Sequence, residues 1–247
     1  MDTAFIIGNG ESRNIFPIEN LKGNGVIYGC NAIYRDHPML CDHIVSVNPQ
    51  MYEELSTWHN KGKESPSIHG PDQISDWNYV CDGDHEQEIP QGLKIYRIWR
   101  GGDVKKGGRI KTLDFSQARG SGCSAVLMAA ESGIKNIIIM AFDIMGAQQW
   151  EMETPSRIQN NIYKNSPNYP DRASMKAYLK YEWMYQLRQI FRKHPNTNFH
   201  FINRKEYLEG NPFLRWYFDQ PNIKCGIYAD LQRWISGQRD DIKWKRL

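Results

Sequence analysis

The sequence lacks any apolar run long enough to cross a membrane, and it lacks a strong excess of charge of either sign. Its 247 residues include 31 lysines and arginines against 28 aspartates and glutamates. This balance does not indicate a nucleic-acid-binding protein by charge alone. A signal peptide is not expected either, because Asp2 is followed directly by an apolar segment of the kind found in a protein core.

Cysteines are few and irregularly placed. The five of them show neither the paired spacing of a zinc site nor the even number of a disulfide framework: Cys30, Cys41, Cys81, Cys123 and Cys225. We therefore expect a reducing, cytoplasmic compartment. The length favours one large α/β domain with an appended subdomain.

The most informative stretch begins at residue 3. The apolar run 4–7 predicts a buried parallel strand, and Gly8 and Gly10 predict a tight turn behind it. Ser12 could cap a helix over about residues 12–21 and leave its first amides facing an anion. The third glycine of a dinucleotide fingerprint is absent, because Arg13 follows Ser12, so NAD or FAD is not predicted. A tight turn without a ligand is the alternative.

Asparagines follow three predicted strands in succession. Asn9 follows the first strand, Asn31 follows a strand at 26–29, and Asn48 follows a strand at 43–47. In an open parallel sheet, ligands bind outside the carboxyl ends of the strands. Each asparagine alone could be an ordinary turn residue. Together they predict an amide-rich site for sugar hydroxyls, a nucleobase or phosphate oxygens.

In the middle of the chain an acidic stretch is followed by a basic one. Asp82 and Asp84 match the D-x-D pattern of metal-dependent sugar-nucleotide enzymes and could share a magnesium or manganese ion, although acidic loops are usually only solvated. The basic, glycine-containing stretch 94–119 could close over phosphates or lie along a nucleic-acid backbone. A solvated surface hairpin is the alternative interpretation of this stretch.

A second strong stretch begins at Arg119. Ser121 and Gly122 open a helix of small residues, where amides and a hydroxyl could meet phosphate. The run 137–142 predicts the clearest buried strand in the chain, and Asp143 stands at its carboxyl end. This carboxylate is placed either to act on a ligand or to cap the next turn.

In their order and spacing these motifs resemble the bacterial lipooligosaccharide sialyltransferases. They are also similar to a wider set of Rossmann-like proteins, some related to the archaeal hydroxymethylpterin pyrophosphokinases. The resemblance covers roughly residues 3–145 and, more loosely, the chain to about 205. It implies an α/β fold with a single Rossmann-like, GT-A-variant sheet, mostly parallel and with helices on both faces. It also implies a CMP- or UDP-linked sugar as donor.

Nucleotide-binding roles are predicted for nine residues. The resemblance implies such roles for Asn9, Asn31, Asn48, Arg119, Ser121 and Asp143, and the glycine patterns described above add Gly8, Gly10 and Gly122. The position of Arg119 differs from the family spacing by one residue. A domain over 1–205 is thus predicted to bind the nucleotide and catalyse, followed by a helical, basic and aromatic extension over 206–247.

A predicted lid at about 150–172 departs from the family. The family carries tyrosines and a basic histidine there, whereas this segment has tyrosines and no histidine. Sialic acid is therefore not the expected sugar. Asp171 could act as the base, and Tyr163, Tyr169 and Arg172 could stabilise the departing phosphate. A structured lid that only leads into the helix at 173–193 is the alternative.

Three functions remain open at this point. The first is a glycosyltransferase that moves a sugar from a nucleotide donor to a glycan hydroxyl or to a hydroxymethylated base in DNA. It would require no cofactor, although magnesium or manganese could take part. The second is a pyrophosphokinase-like enzyme on a small heterocycle, which would use ATP and a metal. The third is a non-catalytic nucleic-acid-binding protein, which the basic and aromatic tail would serve. No pattern predicts the oligomeric state.

Overall fold

A computed structural model of the chain describes residues 1–46, 51, 54–55, 79–80, 86–87, 95–97, 120–144, 161–169, 177–209, 214 and 218–246. Within these residues the fold is a parallel sheet with helices on both faces. The predicted Rossmann-like α/β fold is confirmed.

Seven strands form the main sheet, in the spatial order β6-β3-β2-β1-β7-β8-β9. Their bounds are β1 Thr3–Ile7, β2 Val26–Cys30, β3 His43–Ser46, β6 Ile95–Arg97, β7 Asn136–Met140, β8 Asn198–Ile202 and β9 Ile223–Gly226. Every neighbouring pair is parallel. A separate antiparallel pair consists of β4 Tyr79–Val80 and β5 Glu86–Gln87. The order of strands reverses between β1 and β7, which is where such sheets bind ligands.

The central strands are apolar throughout because both of their faces are covered. All five residues of β1 are buried, and their side chains alternate between two cores. Ala4 and Ile6 join the core beneath α1 (Ser121–Glu131) and α2 (Ala177–Lys193), whereas Phe5 and Ile7 join the core on the other face. The second core is covered by short 3₁₀ helices and by α4 (Tyr228–Ile235). A short helix α3, Lys205–Glu209, follows β8.

The predicted helix over 12–21 is wrong in type. Two short 3₁₀ helices, Glu11–Ile15 and Ile18–Leu21, occupy this segment. Pro17 disfavours helical backbone at the residue before it, and Phe16 accordingly has extended dihedrals of φ −124° and ψ 130°. The cap of the first 3₁₀ helix is Gly10, so Ser12 does not cap it. A third 3₁₀ helix, Asn31–Arg35, follows β2.

The helix after residue 120 ends where the sequence predicts. Helix α1 stops at Glu131, and Gly133 adopts a φ of +77°, a left-handed conformation that glycine accepts without strain. The sequence also predicts a strand over residues 198–202, and β8 has those bounds. The long helix predicted from 173 is described from Ala177 to Lys193.

The segment over 206–247 contains a strand that the sequence analysis did not predict. Strand β9 pairs with β8, so the described part of this segment continues the main sheet. A β-bridge between Cys225 and Lys245 then covers part of the outer edge of β9. The Cys225 amide donates to the Lys245 carbonyl at 2.8 Å, and the Lys245 amide donates to the Cys225 carbonyl at 3.0 Å. Among the described residues, no helix is long and apolar enough to cross a membrane.

Candidate functional site

The candidate site lies at the carboxyl ends of β1, β2 and β7. Ile7 is paired with Gly29 on one side and with Met140 on the other, so the three strands end at nearly the same level. The turn 8–10, the 3₁₀ helix that begins at Asn31, and the segment 141–143 therefore meet at one edge of the sheet. The amino end of α1 joins them, because the Ser121 hydroxyl donates a hydrogen bond to Asn31 Oδ1 at 2.9 Å.

The two glycines of the turn are required by the neighbouring backbone. The Gly8 amide donates to the Met140 carbonyl at 2.9 Å, and the Gly10 amide donates to the Ala141 carbonyl at 3.0 Å. A Cβ at Gly8 would collide with the Ala141 carbonyl, and one at Gly10 would lie 2.5 Å from Asp143 Cγ. Ala141 itself has a φ of 57°, a left-handed conformation that is strained for alanine. The turn and the segment 141–143 are thus fitted closely to each other.

Asp143 accepts hydrogen bonds from groups of the protein itself. Its Oδ2 accepts from the Ser12 amide at 2.8 Å, and its Oδ1 accepts from the Ser12 hydroxyl at 2.5 Å. Asn203 Nδ2 also donates to Oδ1, at 3.0 Å. The amide that the sequence analysis expected to face a ligand anion therefore faces a carboxylate of the chain.

Tyr228 completes this cluster, and the direction of its bond can be deduced. The Tyr228 and Ser12 hydroxyl oxygens are 2.9 Å apart, and Ser12 already donates its proton to a carboxylate that can only accept. Tyr228 is consequently the donor to Ser12. Burial, and then the charge of Asp143, raise the pKa of the Tyr228 hydroxyl, which keeps that donor protonated. We call Ser12, Asp143, Asn203 and Tyr228 the Asp143 cluster.

A second group of polar side chains lies beside the first. Asn9 Nδ2 donates to the Cys30 carbonyl at 3.1 Å and to the Tyr169 hydroxyl at 3.3 Å. Asn31 links the Tyr169 hydroxyl to Ser121. We call Asn9, Asn31, Ser121 and Tyr169 the asparagine cluster. Four residues that the sequence analysis selected for a ligand site are therefore brought together.

The amide of Asn9 has a fixed orientation. A backbone carbonyl can only accept, so the atom facing Cys30 must be the nitrogen. The other amide atom, Oδ1, is buried and has no hydrogen-bond partner within the described part of the chain. A buried acceptor without a partner costs about 1–3 kcal/mol. This atom is thus an acceptor for which the described residues supply no donor.

The amino end of α1 lies at the same edge. Gly120 caps this eleven-residue helix with extended backbone, and its own amide donates to Gln186 Oε1 at 3.3 Å. Partial positive charge at such an end attracts phosphate oxygens. Gly122 serves packing, because a Cβ there would lie 2.7 Å from the Phe142 ring. The end of the helix thus stays close to the segment that carries Asp143.

The segment 161–169 is held against this edge. The Ile162 amide donates to the Asn9 carbonyl at 2.9 Å, and the two predicted catalytic tyrosines of the segment have different surroundings. Tyr163 is buried, and its hydroxyl accepts from Arg13 Nη2 at 3.0 Å. The Tyr169 hydroxyl instead faces Asn9 in the asparagine cluster. Burial raises the pKa of both hydroxyls, so both are protonated at neutral pH.

Glu54 and Arg35 hold the segment 161–169 in place through an ion pair and hydrogen bonds. Arg35 makes a two-pronged ion pair with the Glu54 carboxylate, at 2.7 Å through Nε and 2.6 Å through Nη2. Tyr34 and Asn168 also donate to Glu54. Arg35 in turn donates to the Ser166 hydroxyl at 2.7 Å. Burial raises the pKa of Glu54, but the hydrogen bonds from Arg35, Tyr34 and Asn168 outweigh it and hold the pKa below its usual value.

Several predicted residues lie outside the described residues. These are Asn48, Arg119, Asp171 and Arg172, and also the pair Asp82 and Asp84 that was considered for a metal. Within the described part of the chain, no group of three or more histidine, cysteine or acidic side chains could hold a metal ion.

Sequence reasoning missed part of the site. Asn203 directly follows β8, so the strand-end argument that selected Asn31 could have selected it too. Tyr228 lies just beyond β9, and recognition of that strand would have drawn attention to it. Glu54 and Arg35 carry no comparable signal, because their pairing depends on where the segment 161–169 lies.

No protein-family model, curated protein or solved structure matches the chain. What the site binds must therefore be inferred from its own chemistry.

Proposed function

We propose that the protein is a glycosyltransferase that takes a sugar from a nucleotide-linked donor, and that the asparagine cluster holds the nucleotide. The observation that carries the proposal is the position of this cluster. Asn9, Asn31, Ser121 and Tyr169 are linked by hydrogen bonds at the point where the strand order reverses, beside the amino end of α1. This is the place where open α/β sheets bind nucleotides.

The chemistry of the cluster fits the parts of a nucleotide. The amino end of α1, which carries the positive end of the helix dipole, would face phosphate oxygens. The free acceptor Oδ1 of Asn9 suits an amino, imino or hydroxyl group of the base or sugar. Because both kinds of group are at one edge, a ligand with a phosphate and a donor-bearing ring satisfies more of the site than inorganic phosphate does.

Sugar transfer would use Tyr169 and Asp171. In the transfer step, the acceptor oxygen forms a bond to the anomeric carbon while the bond from that carbon to the phosphate oxygen breaks. Asp171, the base predicted from the sequence, would take the proton of the acceptor hydroxyl. The Tyr169 hydroxyl, which burial keeps protonated, would donate a hydrogen bond to the departing phosphate. The proposed acceptor is a glycan hydroxyl or a hydroxymethylated base in DNA.

The first test is a thermal-shift panel of CMP, CDP, UDP, GDP, ADP and ATP, each with and without magnesium or manganese. A ligand that binds only the folded state raises its stability by mass action. We expect a pyrimidine nucleotide to raise the Tm of the wild type and to lose its effect in Asn31→Gly. Glycine is preferred to alanine because Asn31 has a φ of 51°, which alanine would adopt only with strain.

Asn198→Ala is the matched control for this variant. Asn198 is exposed and opens β8 at the opposite edge of the sheet, so its loss should leave nucleotide binding unchanged. A shift with ATP and metal alone would replace the proposal by the pyrophosphokinase, and the absence of any shift would favour a non-catalytic nucleic-acid-binding protein. Transfer itself is then measured as release of the nucleotide from its sugar conjugate, with and without oligosaccharide or hydroxymethylated DNA.

A further inference from the structure

The turn 8–10 resembles a phosphate cradle in sequence, yet a carboxylate of the chain already fills it. Asp143 takes both donors that Ser12 offers at the start of the 3₁₀ helix, its amide and its hydroxyl. The carboxylate lies directly over Gly10, where a Cβ would be 2.6 Å from Oδ2. A phosphate group is far larger than a methyl group, so it has no room between the turn and Asp143.

The same carboxylate ties together elements that are distant in sequence. Ser12 follows β1, Asn203 follows β8 and Tyr228 opens α4, and all three reach Asp143 directly or through one hydroxyl. Ser12 and Asn203 are fully buried. Removal of the Asp143 carboxylate would therefore leave the buried donors of Ser12 and Asn203 without an acceptor.

We propose that Asp143 is a positioning residue: it supplies the negative charge of the turn from within the chain and so fixes the turn that carries Asn9 before any ligand arrives. In consequence the ligand phosphate is left to α1, and Asp143 does not touch the nucleotide. The part of this proposal that concerns nucleotide binding rests on the proposed function, whereas the part that concerns the turn does not.

Asp143→Gly tests the turn without a nucleotide. The variant removes the carboxylate and leaves space for a small anion, and sodium formate is the probe, compared with sodium chloride at equal ionic strength. We expect backbone amides of residues 8–13 to exchange hydrogen at least tenfold faster in the variant, and formate to restore part of the protection with a saturable dose dependence. The wild type and Asp240→Gly, which removes an exposed acid, should not respond to formate.

Asp143→Asn covers the case in which the glycine variant does not fold. This isostere cannot satisfy the cluster, because wherever its NH₂ group is placed, it faces a donor of Ser12 or Asn203. If Asp143 only positions the turn, the variant should weaken the binding of CMP and of cytidine by the same factor, so that their affinity ratio stays within twofold of the wild type.

The results that overturn the proposal are specific. Formate acting no better than chloride, or unchanged exchange over 8–13 in the variants, would show that the charge of Asp143 does not hold the turn. A CMP-to-cytidine affinity ratio that changed more than twofold in Asp143→Asn would place the phosphate against the turn. If the wild type binds no nucleotide, the proposed function fails while the formate experiment still decides the role of Asp143.

Discussion

The Asp143 cluster and the asparagine cluster lie side by side at one sheet edge, yet they differ in how their hydrogen bonds are used. In the first, each hydrogen bond described for the carboxylate comes from Ser12 or Asn203. In the second, Asn9 keeps a buried oxygen that has no partner among the described residues. We therefore propose that the first, closed cluster maintains the scaffold and that the second, open cluster takes the ligand. Mutations in the first should therefore lower stability, and mutations in the second should lower binding.

The largest effect on stability is expected for Gly10→Ala. The new methyl group would lie 2.5 Å from Asp143 Cγ and 2.7 Å from the Ala141 carbonyl, so the closed cluster must open. We expect the free energy of unfolding to fall by about 3 kcal/mol, as measured by urea denaturation.

Gly133→Ala is the control for that substitution. Gly133 has a left-handed φ of +77° but open space around a Cβ, so alanine there should cost only about 1 kcal/mol. Equal losses in the two variants would mean that backbone preference, and not the fit against Asp143, makes glycine necessary at position 10.

His200 adds a third case to the two clusters. It is a buried polar side chain away from the carboxyl edge of the sheet, and it has no hydrogen-bond partner among the described residues. Its ring packs against Trp234 and Trp244, with centroids 5.0 and 4.4 Å away. Burial, and then the charge of Lys224, lower the pKa of His200 to about 4. The pKa of a histidine in an unfolded chain is about 6.5. We therefore expect His200 to make the folded protein sensitive to acid, and we assign it no role in ligand binding.

The sign of this acid effect follows from proton linkage. Between pH 6.5 and pH 4 the unfolded chain binds the proton that buried His200 refuses, so stability falls as the pH falls, by about 3 kcal/mol in all. Denaturation curves at several pH values should show this loss in the wild type, and His200→Leu should lack it. An unchanged pH dependence in the leucine variant would assign the acid loss to other groups.

An intermediate effect is expected for Glu54→Gln. A neutral amide cannot accept the paired bonds of Arg35 together with those of Tyr34 and Asn168. We expect a loss of about 2 kcal/mol, concentrated in the segment 161–169 and visible as faster hydrogen exchange there.

Glu209→Gln is the matched control. Glu209 is more than half exposed and lies 3.8 Å from Lys245, and surface pairs of this kind contribute little. If exchange over 161–169 were the same in both variants, Glu54 would not be what holds this segment, and with it Tyr169, against the edge.

The smallest effect on stability is expected for Asn31→Gly, in the open cluster. Glycine accepts the left-handed backbone at position 31, so the loss should stay below about 1 kcal/mol. Nucleotide affinity, measured by calorimetry, should nevertheless fall at least tenfold, since the side chain that joins Ser121 to Tyr169 is gone. A variant that lost stability without losing affinity would erase the distinction between the clusters.

The central strands were predictable because their signals are local. The apolar runs at 4–7 and 137–142 predict strands that are covered on both faces, and the residues that follow such strands lie at the carboxyl edge. This argument placed Asn9 and Asn31 at one edge, whereas Ser121 was added to them by the resemblance.

What could not be predicted depends on contacts between distant segments. The choice between helix and 3₁₀ helix after β1 turned on Pro17, whose effect the apolar pattern outweighed in our interpretation. Strand β9 is only four residues long and reads Ile-Lys-Cys-Gly, a pattern too short to distinguish from a loop. Ser12 and Asp143, which are joined by hydrogen bonds, are 131 residues apart in the sequence. No local motif predicts such a contact.

The bridge between Cys225 and Lys245 has a consequence for how molecules of this protein meet one another. An uncovered outer strand offers its free backbone groups to any other extended chain, which is a common beginning of aggregation. Here the hydrogen bonds between residues 225 and 245 occupy part of that edge, and Lys245, which is largely exposed, adds a charge that opposes the approach of a second sheet. The same short pairing thereby leaves fewer backbone groups of β9 free to pair with another molecule.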